Sequence, residues 1–506
     1  MKKPRICASI ISNDPESIRE VELFVDLFEV RIDLIGSGWQ EVAKQIKKPW
    51  IACNRSADEG GRGDRDEDRR IEELLKAMEL GADIVDIELR TKSKAVPLIK
   101  KKAKCLLSFH DLVGTPPLDE MRRIVQSELD AGADICKVVT TARSFEDNLI
   151  ILQLVSGFSE KRIVSFAMGQ LGSVSRMLCP LAGGDFTYAS IREGKESAPG
   201  QITARELREL YKITHANKPI SGETKICGLI GDPVGHTMSP AMHNAAFEKL
   251  GLDYVYFPLR VRQEELGATV KGMKALKIRG FNVTIPHKVA VIPFLDELDS
   301  LAEKIGAVNT IVNDSGFLKG YNTDAAGFLQ ALFEKHIEPV GKNVVVLGAG
   351  GASRAVSFAL AGRGAHLVIL NRRLEMDWAE ALAAKISAVF QKKVEAVELV
   401  EANLARVLEK ADILVNATSV GMSPGIDETP VNSRLLKPAL VVVDIVYNPV
   451  KTRLLKEAEQ VGAATISGLD MLVWQGALAF KLWTGQEALV GLMKETVSRG
   501  LQEYEK

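Results

Sequence analysis

The chain has 506 residues, with 65 Lys or Arg against 66 Asp or Glu and a formal net charge of −1 at pH 7. A chain of this length suits roughly two to four domains rather than one compact core. Because the charges nearly cancel, no net field attracts nucleic acid or an anionic membrane, and small anionic metabolites are the more natural partners.

Six cysteines are scattered along the chain, and none belongs to a C-x-x-C pair. This spacing predicts buried free thiols in a reducing compartment rather than a disulfide or zinc framework, and we expect no metal site. A strand-like run already begins at residue 5, which leaves no room for a signal or transit peptide, and no apolar run approaches membrane-spanning length. The sequence therefore predicts a cytoplasmic protein.

Eight short apolar runs alternate with amphipathic stretches over residues 1–218. Continuous apolar runs are typical of strands buried on both faces, and helical stretches such as 66–80 and 118–131 supply the crossovers that a parallel sheet needs. The alternation predicts an α/β fold of the (β/α)8 TIM barrel type. The runs begin at Arg5, Leu27, Trp50, Ala82, Cys105, Ile135, Arg162 and Asp185.

The chemistry of such a barrel is located at the carboxyl ends of its strands, and the unusual polar residues of this region fall there. A single Arg or Glu at a strand end is usually solvated or salt-bridged, and a His before an Asp is as often structural as functional. The residues in these positions are Glu29, Arg31, Asp33, Arg55, Glu59, His110, Asp111, Arg176, Ser197 and Gln201.

Lys137 differs from these residues because it lies inside the sixth run, between Cys136 and Val138. An unpaired buried ammonium is costly, so a merely structural lysine is uncommon there. Burial and a nearby cation such as Arg176 are expected to lower its pKa, and the amine then forms an imine with a ketone. A neutral His110 within reach can take a proton from the adjacent carbon and return it to a departing hydroxyl. The pattern indicates a Schiff-base elimination.

The motifs EVRID, R-x3-EGG, SFHD, the lysine strand, a Ser-Arg loop and SAPGQ occur in this order over the first 215 residues and resemble type I 3-dehydroquinate dehydratase. The resemblance implies that Lys137 forms the imine, that His110 is the general acid and base, and that Glu59 orients and tunes this histidine. It assigns the substrate carboxylate to Arg176. It assigns hydroxyl contacts and the closing loop to Glu29, Arg31, Arg55, Ser197 and Gln201.

Residues 203–211 predict a helix that closes the barrel, and the polar stretch 215–224, with Pro and Gly, predicts a short linker. The expected domains are a dehydratase-like barrel over 1–218, a substrate-binding and catalytic domain over 225–335, a Rossmann-type nucleotide domain over 336–467, and C-terminal helices over 468–506 that return to the substrate domain.

The substrate domain contains three loops with candidate site residues. A first strand leads into a turn with Thr237 and Ser239 before a helix, where hydroxyls and amides favour an anion. Further on come NVTIPHK with Lys288, GAVNT with Asn309, and NTD with Asp324. Each of these residues taken alone is ordinary for a loop.

The segment 344–347 leads directly into a glycine-rich loop and an Ala-rich helix, the context that a dinucleotide-binding turn needs, although Ser353 replaces the third glycine. After the next strand, Arg372 and Arg373 stand where an NAD enzyme carries an acid. Arginine attracts a 2′-phosphate that an acid would repel, so we predict NADP. The alternative is that both arginines are merely a solvated strand end. Later strands complete an open doubly wound sheet.

These motifs, together with NATSxGM and GLDMLVxQG, resemble shikimate dehydrogenase over nearly all of residues 225–500. The resemblance implies that Lys288 and Asp324 are the catalytic pair, with the ammonium stabilising and protonating the alkoxide that hydride transfer leaves. It implies Thr237, Ser239 and Tyr447 for the substrate carboxylate and Thr284, Asn309 and Gln475 for ring hydroxyls. The residues implied for NADP are Gly348, Gly350, Gly351, Ala352, Ser353, Asn371, Arg372, Arg373, Thr418 and Met422.

The two resemblances in sequence predict a bifunctional enzyme that dehydrates 3-dehydroquinate to 3-dehydroshikimate and reduces this product to shikimate with NADPH. One alternative keeps both folds but reduces toward quinate, and Thr237 and Ala325, which depart from the family pattern, bear on this preference. Another alternative is a catalytically silent metabolite-sensing regulator. It is disfavoured because Lys137, His110, Lys288 and Asp324 are all present and no DNA-binding segment is appended.

Overall fold

The computed structural model describes residues 5–91, 95–169, 171–180, 182–213, 224–234 and 237–504. The chain divides into two compact units, Met1–Lys225 with Gly251–Tyr254 and Ile226–Leu250 with Val255–Lys506. Residues 215–223 of the predicted linker 215–224 lie outside the described residues. Residues 235 and 236, in the turn predicted before Thr237, also lie outside them.

The first unit contains eight strands, and each overlaps one of the eight predicted runs. They are β1 (Ile6–Ile10), β2 (Leu27–Arg31), β3 (Trp50–Cys53), β4 (Ile84–Glu88), β5 (Lys104–His110), β6 (Ile135–Thr141), β7 (Ile163–Met168) and β8 (Thr187–Ser190). Their order is β7-β6-β5-β4-β3-β2-β1-β8, and the pairs are parallel. Because β8 returns to β1, the sheet is a nearly closed barrel, and the predicted fold class is confirmed.

Helices connect the strands and cover the outside of the barrel. Asp66 caps the helix predicted over 66–80, because its carboxylate accepts from backbone amides of the first turn. The helix predicted over 118–131 packs Met121 and Val125 against the sheet. The helices are α1 (Pro15–Val21), α2 (Ile32–Ile35), α3 (Trp39–Ala43), α4 (Glu67–Glu79), α5 (Ala95–Ile99), α6 (Leu118–Asp130), α7 (Asp147–Gly157), α8 (Ser173–Leu178) and α9 (Ala204–Ile213).

The next part of the chain forms a mixed six-stranded sheet. Its strands are β9 (Lys225–Gly231), β10 (Tyr254–Arg260), β11 (Gly280–Val283), β12 (Glu297–Leu298), β13 (Thr310–Asp314) and β14 (Phe317–Tyr321), in the order β10-β9-β11-β13-β14-β12. β9 and β11 are parallel, whereas β13 is antiparallel to both β11 and β14. The accompanying helices are α10 (Ser239–Lys249), α11 (Leu266–Ala275), α12 (His287–Ala290), α13 (Ser300–Ile305) and α14 (Asp324–Glu334).

A second six-stranded sheet is fully parallel, with the order β17-β16-β15-β18-β19-β20. Its strands are β15 (Asn343–Leu347), β16 (His366–Asn371), β17 (Glu395–Glu398), β18 (Ile413–Asn416), β19 (Val441–Asp444) and β20 (Ala464–Ile466), and its helices are α15 (Gly351–Gly362), α16 (Met376–Phe390), α17 (Glu401–Leu408) and α18 (Arg453–Gln460). The strand order reverses at β15, and a crevice at such a reversal is where open parallel sheets bind their ligands.

Two helices end the chain, α19 (Gly468–Thr484) and α20 (Val490–Tyr504). α19 packs against α14 and α20 packs against α10. The indole of Trp483 also donates to the carbonyl of Ile311 in β13, at 3.0 Å. These contacts attach the C-terminal helices to the mixed sheet, while the finer domain boundaries within this unit stay a prediction.

All six cysteines are buried free thiols. Among the described residues, every helix is too short or too polar to span a bilayer.

Candidate active sites

A cavity of about 330 Å³ opens at the carboxyl ends of the barrel strands. Nine residues that the sequence singled out line it together, although they come from well-separated parts of the chain. They are Glu29, Arg31, Arg55, Glu59, His110, Lys137, Arg176, Ser197 and Gln201.

Lys137 is 4% exposed and lies on β6. Its Nζ donates to Asp86 Oδ2 at 2.8 Å and to Glu29 Oε1 at 3.4 Å. It also donates to Tyr188 Oη at 3.0 Å and lies 4.3 Å from the centre of that ring. The three protons of the ammonium therefore have three oxygen acceptors, which come from β4, β2 and β8.

The pKa of Lys137 is raised above its usual value, because burial lowers it but the carboxylates of Asp86 and Glu29 more than offset the burial. Arg55 is the cation that opposes this rise. The expectation that burial and Arg176 bring this pKa toward neutrality is therefore wrong. The physical reason is that the two acids hold the ammonium in place, so Lys137 must release a proton before it can act as a nucleophile.

His110 lies on β5, where its neighbour in register is Val139, two residues beyond Lys137 on β6. Its Nδ1 is 2.8 Å from Glu59 Oε2. Burial, followed by the positive charges of Arg55 and Lys137, lowers the pKa of His110 well below its usual value. Burial raises the pKa of Glu59 to about 7. His110 is thus neutral near pH 7, and a Glu59 carboxylate accepts from Nδ1–H and leaves the other ring nitrogen as the acceptor.

Arg176 is 1% exposed, and its Nε and one terminal nitrogen are buried with no hydrogen-bond partner among the described residues. The other terminal nitrogen donates to the Pro199 carbonyl at 3.4 Å, and the guanidinium lies 4.3 Å from the centre of the Phe166 ring. Burial lowers the pKa of Arg176 to about 9. Buried N–H groups are rarely left unpaired, so this guanidinium is suited to an anion that enters the cavity.

The other polar residues of the cavity are already engaged with neighbours. Arg31 makes a two-pronged contact with Asp33, at 2.9 and 2.8 Å. In the loop after β8, the backbone amide of Ser197 donates to Gln201 Oε1 at 2.7 Å, and Gln201 Nε2 donates to the Ser197 hydroxyl at 3.0 Å. Arg55 donates to Asp86 at 2.7 Å. A bound molecule with hydroxyl groups would share or displace these partners.

Sequence reasoning missed two residues that contact Lys137, namely Asp86 and Tyr188. A signal existed for Asp86, because it and Glu88 interrupt the apolar run of β4 at alternate positions and therefore point to the same side of the strand. Tyr188 gave no signal, since an aromatic residue is ordinary in a buried strand.

The second site is centred on an ion pair between Lys288 and Asp324, with Nζ 2.6 Å from Oδ2. Lys288 lies on α12 and Asp324 begins α14. The amide of Asn309 donates to the other carboxylate oxygen of Asp324 at 2.9 Å and to Gln475 Oε1 at 3.2 Å. Two helices, α12 and α14, together with α19 and the residue before β13 thus bring four predicted residues together. They fix the carboxylate of Asp324 through both of its oxygens.

The three members of the expected carboxylate-binding trio are also in contact, through Thr237. Thr237 Oγ1 accepts from the backbone amide of Ser239 at 3.3 Å. Burial raises the pKa of Tyr447, and its hydrogen bond to Thr237 opposes the rise. Thr284 follows β11 directly and is half-buried. The trio therefore presents hydroxyl groups at the start of α10.

The glycine-rich loop after β15 borders this site. Gly348 has φ +98°, where glycine is favoured, and a Cβ there would lie 3.1 Å from Thr418 Cγ2. A Cβ on Gly351 would lie 3.1 Å from the Cβ of Lys288, so the loop passes directly beside the lysine. Gly350 is exposed, with open space at its α-carbon, and precedes the N-terminus of α15.

Ser353, which is expected to line the cofactor, has its side chain inside the loop. It is fully buried, and its hydroxyl donates to the Gly348 carbonyl at 2.5 Å. The Ser353 hydroxyl therefore stabilises the turn by providing a hydrogen-bond donor for the Gly348 carbonyl. Ala352 is half-buried.

The basic residues after β16 lie at the surface. Arg372 has a side chain that is 72% exposed and forms an ion pair with Glu375, and Arg373 is exposed. Asn371 is buried, and its amide donates to the Glu375 carbonyl at 2.7 Å. Met422, in the loop after β18, is 42% exposed.

These features fit a dinucleotide that carries a 2′-phosphate. An open glycine at the start of α15 lets a pyrophosphate approach the backbone amides of a helix N-terminus. Arg372 and Arg373 follow the next strand, and a 2′-phosphate there would compete with Glu375 for Arg372.

Comparison with known proteins gave matches over both units. Residues 6–218 match the family described as type I 3-dehydroquinase. Residues 229–311 match the shikimate dehydrogenase substrate binding domain, residues 331–470 match shikimate/quinate 5-dehydrogenase, and residues 468–497 match the shikimate 5′-dehydrogenase C-terminal domain.

Among individual proteins, the chain is 36% identical to the chloroplastic bifunctional 3-dehydroquinate dehydratase/shikimate dehydrogenase of Arabidopsis thaliana, over 98% of this chain and 84% of that protein. It is 52% identical to shikimate dehydrogenase (NADP(+)) of Methanopyrus kandleri, over 56% of this chain and 98% of that protein. A crystal structure of a shikimate dehydrogenase in complex with NADP+ is 47% identical, with a TM-score of 0.53, and covers 56% of this chain and 98% of its own.

Proposed function

We propose that the two reactions of this protein use two separate sets of residues, because the chain belongs to the family of bifunctional 3-dehydroquinate dehydratase/shikimate dehydrogenases. The protein is an NADP-dependent enzyme of the shikimate pathway that dehydrates 3-dehydroquinate and reduces the resulting 3-dehydroshikimate to shikimate. The observation that carries the assignment is the presence of Lys137 with His110 in one unit and of Lys288 with Asp324 in the other.

In the dehydration, Lys137 attacks the ketone of 3-dehydroquinate and forms an iminium ion, which acidifies the neighbouring carbon. Asp86 and Glu29, which now contact the ammonium, stabilise the positive charge of the iminium in the same place. His110, held by Glu59, takes the proton from the acidified carbon and returns it to the departing hydroxyl. Arg176 binds the substrate carboxylate through its unpaired N–H groups.

Borohydride trapping tests this assignment. Borohydride added together with 3-dehydroquinate should fix the ligand mass on the peptide that contains Lys137, stop dehydration, and spare the reduction of 3-dehydroshikimate. The peptide that contains Lys288 serves as the internal control. Label on any other lysine, or none at all, would show that the imine is formed elsewhere or not formed.

The pKa of Glu59, about 7, predicts the pH dependence of dehydration. Below this pH the carboxyl gains a proton and no longer accepts from His110 Nδ1–H, so kcat/KM should rise as the pH increases through about 7. Glu59→Gln should remove the inflection as well as lower the rate. Glu73→Gln, which alters a carboxylate of α4 bonded to Trp39 and outside the cavity lining, should keep the inflection. An unchanged profile in Glu59→Gln would contradict this role.

In the reduction, NADPH supplies the hydride when it is bound. The Lys288 ammonium donates to the ketone oxygen and protonates it as negative charge develops, and Asp324 holds this ammonium in position. Thr237, Ser239 and Tyr447 bind the carboxylate. The ring hydroxyls are bound by Thr284, Asn309 and Gln475.

The residues proposed to hold the cofactor follow the crevice at β15. Gly348, Gly350 and Gly351 shape the loop, and Ser353 supports it from inside. The amides at the start of α15 would hold the pyrophosphate. The remaining contacts are assigned to Ala352, Asn371, Arg372, Arg373, Thr418 and, beside the nicotinamide, Met422.

Replacing both Arg372 and Arg373 with alanine should raise KM for NADPH by about ten- to a hundredfold, the scale of one or two charge-assisted contacts at about 1.5–3 kcal/mol each, with little change for NADH. Arg363→Ala is a matched control, because this exposed arginine pairs with Glu338 at the far end of α15. Initial rates with each cofactor measure the effect. Equal use of NADH and NADPH by the parent protein would contradict the assignment.

We assign shikimate rather than quinate as the product of the reductive site, and parallel turnover of shikimate and quinate tests this preference. Thr237 is the residue to examine if quinate is preferred, because it contacts Tyr447 in the proposed carboxylate site. A silent regulator is disfavoured, since the ion pair of Lys288 with Asp324 and the cavity around Lys137 are both complete.

The ligands are small molecules, and we infer that they are 3-dehydroquinate, 3-dehydroshikimate, shikimate and NADPH rather than nucleic acid or membrane. The near-zero net charge supports this inference. A cytoplasmic location stays a prediction, supported by the six buried free thiols, which a reducing compartment preserves.

A further inference from the structure

Among the described residues that accept from Lys137 Nζ, Tyr188 is the uncharged one. It lies on β8, opposite Cys7 of β1, is 3% exposed, and lines the same cavity. Its Oη accepts from Lys137 Nζ at 3.0 Å. A phenol has one proton to donate and lone pairs that accept, whereas a carboxylate only accepts. Of these described acceptors of Nζ, Tyr188 is therefore the one that can accept a proton and donate one at the same time.

Such a group assists imine formation. When the amine attacks a ketone, the nitrogen is left with one proton too many and the oxygen with one too few. Asp86 is poorly suited to keep the nitrogen's proton, because Arg55 and Lys137 outweigh the effect of burial and lower its pKa below the usual value. A transfer that avoids a charged intermediate needs one group that accepts at nitrogen and donates at oxygen together.

We propose that Tyr188 is a proton relay that forms the carbinolamine precursor of the imine. The step rests on the proposed role of Lys137 as the nucleophile, and it starts from the amine, after one proton has left to solvent. The Nζ lone pair forms the bond to the carbonyl carbon as the C=O π electrons move to oxygen. One Nζ proton passes to Tyr188 Oη while the phenolic proton passes to the carbonyl oxygen, so the carbinolamine and the phenol both end neutral.

The surroundings of Tyr188 favour a relay over a separate phenolate. Burial, and then the negative charge of Glu29, raises the pKa of Tyr188 well above its usual value. A phenolate would therefore be costly, but the relay never forms one. Lys137 Nζ also lies 4.3 Å from the centre of the Tyr188 ring, a favourable contact that does not involve the hydroxyl.

Tyr188→Phe separates the relay from a purely structural role, because the two roles predict opposite signs. It keeps the ring and removes only the oxygen. If the hydroxyl did nothing but accept from the ammonium, its loss would favour the amine and speed imine formation at neutral pH. If the hydroxyl relays the proton, its loss slows imine formation.

The experiment mixes the full-length protein with 3-dehydroquinate in a single turnover, quenches into borohydride at increasing times, and follows the mass of the Lys137 peptide. Tyr188→Phe should form the adduct about a hundredfold more slowly, the lower end of the range for acid–base assistance. Ser165→Ala removes another buried hydroxyl of the barrel sheet, one that donates to the Val138 carbonyl, and should form the adduct at the parental rate. An equal or faster rate in Tyr188→Phe would overturn the relay.

A measurement on the parent protein covers the case in which Tyr188→Phe does not fold. The relay moves two protons in one step. A plot of the rate of adduct formation against the deuterium fraction of the solvent should therefore be curved. A strictly linear dependence would overturn the relay. If the parent protein forms no adduct on Lys137 at all, the nucleophile assignment fails instead.

Discussion

Lys137→Ala is expected to lower the dehydration of 3-dehydroquinate by on the order of 10⁴-fold or more, because removal of the nucleophile from a covalent enzyme is among the largest single-residue losses known. The reduction of 3-dehydroshikimate should continue at the parental rate, since its residues belong to the other compact unit. Asp86 keeps Arg55 as a partner at 2.7 Å, so the variant does not leave this buried acid unpaired. The enone absorbance of the product measures the effect.

Lys104→Ala is the matched control for this loss, because Lys104 starts the neighbouring strand β5 with an exposed side chain. It should dehydrate as the parent does. If Lys137→Ala retained a tenth of the parental rate, the covalent mechanism would have to be abandoned in favour of direct proton abstraction by His110.

Lys288→Ala is expected to lower the reduction of 3-dehydroshikimate by about a hundredfold or more, the usual scale of a lost acid catalyst. The loss should appear mainly in kcat, because the ammonium is needed most when negative charge develops on the substrate oxygen. Dehydration should stay near the parental rate. NADPH consumption, followed in the presence of 3-dehydroshikimate, measures the effect.

Two comparisons sharpen this result. Asp324→Asn keeps the size of the side chain but removes the charge that lies 2.6 Å from Lys288 Nζ, and it should be impaired in the same direction. Lys274→Ala removes a lysine of the same unit that pairs with Asp296 at the surface, and it should reduce normally. A Lys288→Ala variant that lost dehydration as well would argue against separate sets of residues.

The fold could be predicted from sequence because its signals are local. Each barrel strand is an apolar run with a helical stretch behind it, and the parallel sheet of the second unit follows a strand, a glycine-rich loop and a helix in direct succession. Most site residues could be placed for a related reason, since the carboxyl ends of parallel strands meet at one edge.

What sequence reasoning missed depends on distances between segments far apart in the chain. The pKa of Lys137 was expected to fall, and it rises, because Asp86 and Glu29 reach it across the barrel from other strands. The bond from the Ser353 hydroxyl to the Gly348 carbonyl also had no signal in the sequence. Only three-dimensional distances decide whether a polar group faces a partner or a ligand.

The cluster around Lys137 takes one side chain from each even-numbered barrel strand, namely Glu29, Asp86, Lys137 and Tyr188. Alternate strands of such barrels supply the members of one interior layer. During synthesis, a chain that has emerged only through β6 would hold the lysine and both acids but would lack Tyr188, Arg176 and the loop of Ser197. The full set of residues around the lysine is therefore assembled only when the final strand pairs with β1.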